Sequence, residues 1–261
     1  DLVVGSRAGG VQLLLYSVFH IGDATANVTW KTLEDIKKRK EVKWIVPIAL
    51  GDSHRGYRVV GTSREYFNRF RYRRNIPLRI VEGRQFSDLF DAVLGADVAS
   101  KLNYKIGNKI ILAHGTGPVS IGKDHGDTPF QVSGILAPTG TPVDKAVHVS
   151  MEAIEAIHVG WETGTFTDQG EINSPDNLRK MDLRPKEVTA MFVGLETKMA
   201  TFSFQRWINT YLHEPITAIL PGVVFGQLWS LIGSVEKTLF IVSCMVVFTA
   251  ILGMIISILA S

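Results

Sequence analysis

The stretch Thr238–Ala260, TLFIVSCMVVFTAILGMIISILA, carries no charged side chain and is apolar along almost its whole length. With a rise of about 1.5 Å per residue, a helix of this length can cross the hydrocarbon core of a bilayer, which is about 30 Å thick. The alternative is a buried helix of a large soluble core, but such helices are usually shorter and carry a polar stripe. We therefore predict a transmembrane helix over 238–260, joined to an extramembranous body.

The helix is predicted to begin before the membrane does. After Pro221-Gly222, apolar residues recur at spacings of three and four, which places them on one face of a helix. This stripe consists of Phe225, Leu228, Ile232, Val235 and Leu239. We interpret 223–237 as a stalk helix that can carry movement from the bilayer to the body. An ordinary amphipathic helix packed on the body is the alternative.

Composition indicates a folded chain with no strong preference for polyanions. The 261 residues are 46% hydrophobic and 20% charged, and the formal net charge is only +3. The single cysteine, Cys244, excludes an internal disulfide. The chain starts at Asp1 with neither an initiator methionine nor a leader pattern, so we expect a piece of a longer protein whose body is a loop between two membrane spans.

The body is predicted to be α+β. A helix followed by a strand lies within Thr32–Leu50, and strand, helix and strand follow one another over Val188–Glu196, Met199–Leu212 and Ile216–Leu220. Together they suggest a split α+β subdomain formed by both ends of the body, with a β-rich middle inserted into it. Pro47 lies within the strand predicted over Val42–Leu50. Because proline has no N–H for strand pairing, it indicates an edge strand or a bulge there.

Four histidines of the β-rich middle are metal candidates, with several carboxylates near them in sequence. They are His114, His125, His148 and His158. Imidazole and carboxylate groups suit zinc, but the spacing matches no known metal motif. The alternative is surface or capping histidines, so we assign no metal ligand. A membrane-anchored metal-binding or sensing module is nevertheless the alternative function.

Gly51-Asp52-Ser53-His54 follows a predicted strand, where a hydrolase could place a nucleophilic serine. Such a serine needs an Asp and a His close together farther along the chain, and only His213 precedes the membrane helix in the C-terminal region. A turn explains the Gly-Asp-Ser sequence equally well. We therefore expect no catalytic residue and no enzyme activity.

Seven arginines lie within Arg64–Arg84, interleaved with aromatic residues. Such a pattern can bind nucleic acid or anionic lipid. The alternative is a solvated loop whose aromatic residues anchor it to the core. Because no nucleic-acid motif accompanies the run, we favour the loop and expect no nucleic-acid partner.

Five phrases, in order, carry a family resemblance that spans roughly the whole chain. They are EYFNRF (65–70), IVEGRQFSD (80–88), AVLGADVASKL (92–102), KIGNKIIL (105–112) and FQVSGILAPTGTPVDKAVHVSMEAIEAI (130–157). The chain resembles the extracytoplasmic domain of MacB-type ABC transporter permeases, within the wider FtsX-like family. The resemblance implies a MacB-like periplasmic core domain with a porter subdomain in two halves, 1–85 and 187–222. A β-rich Sabre subdomain, 86–186, is then inserted between them.

The same resemblance implies a non-catalytic, dimeric or paired permease in a bacterial inner membrane, with its body periplasmic or extracellular. A cytoplasmic ABC ATPase, fused or separate, would drive it, and a periplasmic adaptor is a further implied partner. No Walker A pattern occurs in this chain, so ATP is expected on the partner and no cofactor is expected here. Neither the resemblance nor the residues identify the transported substrate.

Overall fold

The computed structural model describes residues 2–73, 75–114, 128–159 and 175–260. They form two compact units, a body that ends at Ile219 and a helical unit that begins at Leu220. The strands are β1 (Leu2–Ser6), β2 (Val28–Thr29), β3 (Val42–His54), β4 (Tyr57–Thr62), β5 (Arg71–Tyr72), β6 (Ile76–Pro77), β7 (Ile80–Gly83), β8 (Asp91–Leu94), β9 (Lys109–Ile110), β10 (Ala113–His114), β11 (Phe130–Leu136), β12 (Ala146–Ser150), β13 (Glu187–Val188), β14 (Ala190–Leu195) and β15 (Ile216–Ile219). The helices are α1 (Gly10–Val18), α2 (Trp30–Lys37), α3 (Glu65–Arg69), α4 (Ala96–Lys101), α5 (Met151–His158), α6 (Pro175–Leu178), α7 (Thr201–Asn209) and α8 (Pro221–Leu259).

The two ends of the body meet in one antiparallel sheet with the order β15-β1-β14-β3. Helix α2 precedes β3, and α7 connects β14 to β15. This is the strand order of a β-α-β-β-α-β unit whose middle connection has been greatly lengthened. The α+β class predicted from the sequence is confirmed.

Strand β3 links this unit to the middle of the chain. Its first half pairs with β14, and its second half pairs with β4, from which the sheet continues as β4-β12-β8-β11-β7. The insertion therefore extends the same sheet, and the predicted subdomain boundaries remain predictions. The strand also runs four residues beyond Leu50, so the prediction of a turn at 51–54 is wrong. The turn lies at Arg55-Gly56, where both residues have positive φ, 48° and 82°.

Pro47 lies inside β3, which is not an edge strand over its whole length, but at Pro47 itself β3 pairs on one side only, as at an edge. Met191 of β14 faces Pro47, whereas pairing with β4 begins only at the next residue, Ile48. The Pro47 carbonyl accepts a hydrogen bond from the Thr62 hydroxyl at 2.7 Å. The proline is tolerated because the ladder to β4 ends beside it, where no partner needs its missing N–H.

Helices cover the sheet, and apolar side chains fill the space between them. In the middle of the chain, α4 and α5 pack on a core that includes Leu94, Phe130 and Val147, all fully buried. At the other end, α1 approaches β1 over Gly5, where an added Cβ would lie only 2.6 Å from the Leu13 side chain. That close approach requires glycine.

Side chains define where the sheet stops. On the outer edge of β15, the Ala218 N–H donates to Asn209 Oδ1 at 2.9 Å, and the Ala218 carbonyl accepts from Gln205 Nε2 at 2.9 Å. Helix α7 thereby occupies backbone groups that a second strand could otherwise pair with. The opposite end of the sheet is β7, whose only strand neighbour among the described residues is β11.

Helix α8 is continuous over 39 residues, a length of about 58 Å. Pro221 occupies its first turn, where a missing N–H costs nothing. It is the one described helix long and apolar enough to span a membrane, with a mean hydropathy of 2.8 in its most apolar window. Glu236 and Lys237 are its last charged residues. The Thr238 and Thr249 hydroxyls donate to carbonyls of the preceding turn, which suits an apolar solvent.

Candidate functional site

The chain leaves the body for α8 at one end of the sheet, and strand register defines that end. Val3 of β1 lies opposite Ile219, the last residue of β15, and Leu2 lies opposite Val193 of β14. Val42, the first residue of β3, lies opposite Leu195 at the same end. The start of β1 and the end of β15 are therefore side by side, and the central position of β1 joins them to β14. A displacement of the residues that lead into α8 would reach three strands at once.

The predicted stalk and membrane segments form a single element. No helix break occurs between Pro221 and Leu259. The stripe residues Phe225, Ile232 and Val235 are 45%, 48% and 59% exposed, and Phe225 stacks on Trp229 with ring centroids 6.1 Å apart. The sequence prediction of a helix that starts well before the membrane segment is confirmed.

His148 is a core residue. Within the described part of the chain it is neither grouped with other metal candidates nor a surface or capping histidine, the two settings that the sequence suggested. It is fully buried on β12, with its Nδ1 3.2 Å from the Val93 carbonyl. Its ring packs against Tyr66 and Phe67, with centroid distances of 5.3 Å and 5.8 Å. Burial, followed by the charge of a protonated His20, lowers the pKa of His148 to about 3.

The other metal candidates do not join His148 in a described site. The Nδ1 atom of His158 lies 2.6 Å from the carbonyl of Ile154 in its own helix. His125 and the side chain of His114 lie outside the described residues. Within the described ranges, no three His, Cys, Asp or Glu side chains are grouped to hold a metal ion. His114 and His125 remain candidate ligands only, and no metal ligand is assigned.

Asp52, Ser53 and His54 of the Gly-Asp-Ser-His segment are buried in the sheet, with Ser53 5% and His54 3% exposed. His54 Nδ1 lies 2.6 Å from the Ile111 carbonyl, and its Nε2 lies 2.9 Å from the Tyr104 hydroxyl. Because Nδ1 must donate to the carbonyl, Nε2 accepts from Tyr104. Both ring nitrogens are thus engaged, and His54 has none left to act as a base toward Ser53. Desolvation lowers the pKa of His54, which is consistent with a neutral structural imidazole.

The aromatic residues of the arginine-rich run anchor it to the core. Tyr66 and Phe67 are 1% and 4% exposed, and Phe67 packs edge-on against Phe86 at 5.5 Å. Burial raises the pKa of the Tyr66 hydroxyl. Base stacking requires exposed rings, so these two cannot serve it. The prediction that aromatic residues anchor the run is confirmed, but the prediction of a loop is wrong, because the run contains α3, β5, β6 and β7.

Three arginines of the run support the fold. Arg64 Nε donates to the Phe86 carbonyl at 2.9 Å, and Arg69 pairs with Glu65 at 2.8 Å. Arg84 lies 2.6 Å from the carboxylate of Asp91, which is buried and also accepts from two backbone N–H groups of the preceding turn. Paired in this way, Arg84 helps to compensate a buried charge.

His20 is a residue that the sequence interpretation missed. It follows α1 with φ 57°, and it lines an open cleft of about 710 Å³ with Arg58 and Lys145. Desolvation, followed by the charge of Arg58, lowers the pKa of His20 to about 4. Its Nδ1 is buried, with no hydrogen-bond partner in the part of the chain that the structure describes. No local pattern marks this residue, because its surroundings come from β4 and the turn before β12.

Comparison with known proteins gives a family and two distant structural neighbours. The family described as MacB-like periplasmic core domain matches residues 4–191. The extracellular domain of the noncanonic ABC-type transporter YknZ from Gram-positive bacteria is 14% identical, with a TM-score of 0.48 over 84% of this chain and 100% of that chain. The periplasmic region of MacB from Actinobacillus actinomycetemcomitans is 8% identical, with a TM-score of 0.48 over 87% and 91% of the two chains. No curated protein matches by sequence.

Proposed function

The chain belongs to the family of MacB-like periplasmic core domains, and on that premise we propose that it is the extracytoplasmic part of an ABC transporter permease with one of its membrane helices. In this proposal the chain makes and breaks no bonds. It transmits movement, driven by ATP hydrolysis on a cytoplasmic partner, to the outer side of the membrane, where substrate export takes place. The observation that carries the proposal is the unbroken helix from Pro221 to Leu259.

The length of α8 fits this role. Its charge-free part, from Thr238 onward, is about 33 Å long and matches the hydrocarbon core, while the preceding part adds about 25 Å outside it. A straight helix resists bending, so a shift at the cytoplasmic end is delivered to β15. Because β15 pairs with β1, and β1 pairs with β14, the shift is transmitted from β15 to both strands.

The proposed partners are those that membership of this family implies. They are the lipid bilayer around α8, a cytoplasmic ABC ATPase, a second permease copy or paralogue, and a periplasmic adaptor. The proposed location is a bacterial inner membrane, with the body on its outer side. The limits of the porter halves and the Sabre insertion, at 85/86 and 186/187, are part of the proposal.

A helix break in the stalk tests the proposal. Gly233→Pro removes one backbone hydrogen bond of α8 and introduces a clash with the preceding turn, which kinks the helix. The variant would be assembled with its ATPase in nanodiscs, with Cys244 replaced by serine and a spin label at an exposed position such as Lys105. We expect ATP to change the distance between labels of two paired copies in the parent protein. The change should be lost in Gly233→Pro while ATP hydrolysis persists.

Gly233→Ala is the matched control, because it keeps the helix and removes the same glycine. It should respond to ATP as the parent does. An unchanged response in Gly233→Pro, or no ATP response in the parent assembly, would overturn the proposal of mechanical coupling.

A further inference from the structure

The arginine-rich run divides into two groups that the sequence does not distinguish. Arg64, Arg69 and Arg84 are engaged by carbonyl or carboxylate groups of the body. Arg71, Arg73 and Arg79 are exposed, and none of these three pairs with a carboxylate of the described residues. The second group lies on and beside the hairpin of β5 and β6, which we call the basic hairpin (described residues 71–73 and 75–79).

The basic hairpin presents its charges outward on a defined frame. Arg71 lies opposite Pro77 in the β5–β6 register, and its guanidinium donates only to the carbonyl of the adjacent Phe70 at 2.9 Å. At the tip, Arg73 and Asn75 have φ values of 48° and 74°. Left-handed backbone at a non-glycine residue such as Arg73 is uncommon and concentrates at functional sites.

The hairpin lies against the turn before β12 rather than projecting alone. A Cβ on Gly140 would be 3.2 Å from Arg73 Nη2, so the guanidinium rests on that glycine. Lys145, a few residues on, lines the cleft beside the turn, and no carboxylate of the described residues pairs with it. The nearest buried acid, Asp144, is 6% exposed, and its oxygens accept from the Thr139 and Gly140 N–H groups. It therefore offers little to an outside cation.

We propose that the basic hairpin is a docking surface for an acidic segment of a protein partner. Guanidinium groups match carboxylates in paired geometry, and an unpaired set of them lacks its complement. Apolar side chains stand among them, since Ile76 and Val81 are 42% and 47% exposed. The adjacent strand β7 is an end of the sheet, with backbone groups that an extended segment can pair with. A polypeptide satisfies all three features, whereas a bare polyanion satisfies only the first.

Within the body, the hairpin and the last residue of β15 lie near opposite ends of the sheet. The Gly140 turn, on which Arg73 rests, leads into Ala146 of β12. Ala146 pairs with Arg58 of β4, and Arg58 pairs with Ser53 near the end of β3. The hairpin therefore lies near that end of β3. Val42 starts β3 at the sheet end that leads into α8. The two ends of β3 are separated by roughly 35 Å along an extended strand. The vesicle experiment below separates a protein partner from lipid headgroups. This inference does not depend on the transport role.

The test uses the full chain in neutral detergent and a short fluorescein-labelled polyglutamate peptide, followed by fluorescence anisotropy at low salt. We expect saturable binding that weakens as salt is added. The triple variant Arg71→Gln, Arg73→Gln, Arg79→Gln should bind roughly tenfold more weakly, because it loses three exposed charge pairs. The control triple Lys105→Gln, Lys109→Gln, Lys180→Gln removes equal charge from other exposed positions and should bind like the parent protein.

Circular dichroism spectra of both triple variants should match that of the parent, since none of the six side chains is buried. Three results would overturn the proposal. One is no binding of the peptide by the parent chain, and another is equal weakening in the two triple variants. The third is hairpin-dependent binding of polyphosphate, or of phosphatidylglycerol vesicles, that is tighter than binding of the peptide, which would assign the surface to phosphate anions.

Discussion

Leu94 in β8 and Leu252 in α8 have the same side chain but lie in different surroundings. Leu94 is fully buried among side chains of its own body, whereas Leu252 is 42% exposed, like most apolar residues around it. In the body, the sheet and its helices exclude water from apolar groups. In α8, only lipid or another membrane helix can do so. An apolar stretch therefore does not by itself reveal whether protein or lipid will cover it. The length and continuity of the stretch indicate which of the two does.

Cavity formation in the body gives the largest expected effect. Leu94→Ala should lower the free energy of unfolding of the body by about 2–5 kcal/mol, because the surrounding core cannot fully close the space. Denaturant titration followed by circular dichroism measures the change. Leu252→Ala removes the same atoms from α8 and should leave the transition of the body in place. A similar loss in both variants would mean that Leu252 belongs to a core that includes the body.

A charged residue placed in α8 tests whether this helix is surrounded by lipid. Val247→Arg should raise the free energy of membrane insertion by about 3 kcal/mol, since arginine is strongly disfavoured at the centre of a membrane helix. The measured quantity is the fraction of chains that resist carbonate extraction, which should fall. Val247→Leu preserves hydropathy and should insert as the parent does. Full retention of the arginine variant would contradict the assignment of α8 to the bilayer.

Local patterns predicted the parts of the fold that depend on neighbours in sequence. Thr29 accepts from the Thr32 N–H, and Ser150 from the Ala153 N–H, as helix caps formed between residues three apart in sequence. The prediction failed at 51–54, because strand β3 is prolonged by pairing with β4 and β10. Propensity favours a turn at Gly-Asp-Ser, but long-range ladders outweigh it. Sequence spacing cannot reveal such pairing.

The candidate residues show the same limit. His148 was singled out for its chemistry, but its place in the core depends on Tyr66 and Phe67, which are some eighty residues away in sequence. The two groups of arginines differ in whether a carboxylate, or the carbonyl of a residue distant in sequence, lies within reach. Helix α8 was predictable because its signal is contained within one continuous segment.

Buried histidine in the body should make stability depend on pH. The folded pKa of His148 is about 3, below the ordinary value of 6.5, so the unfolded chain binds the proton first as pH falls. Stability is therefore present above pH 6.5 and is lost as pH falls toward 3, by about 1 kcal/mol per pH unit from this residue. His148→Phe keeps a ring in the core. In this variant the free energy of unfolding should fall less steeply as pH decreases below 6.5 (the acid limb of the stability curve), as measured by denaturant titration across that range.

Above pH 7.5 both states of His148 are neutral, so the difference between parent and His148→Phe should no longer change with pH. His20, whose pKa is lowered to about 4, should leave a residual acid limb in the variant. An acid limb of the same slope in parent and variant would contradict the assignment of His148 as a buried neutral group.

The edge of β15 gives the smallest expected effect, and it joins the two sides of the comparison because this strand leads into α8. Asn209→Ala leaves the Ala218 N–H without its acceptor and should lower the free energy of unfolding by about 1 kcal/mol. Asn209→Asp retains an acceptor oxygen and should lose less, as denaturant titration of both variants would show. If the two variants lose the same amount, the hydrogen bond to Ala218 is not what stabilises this edge. Helix α7 would then protect β15 by packing alone.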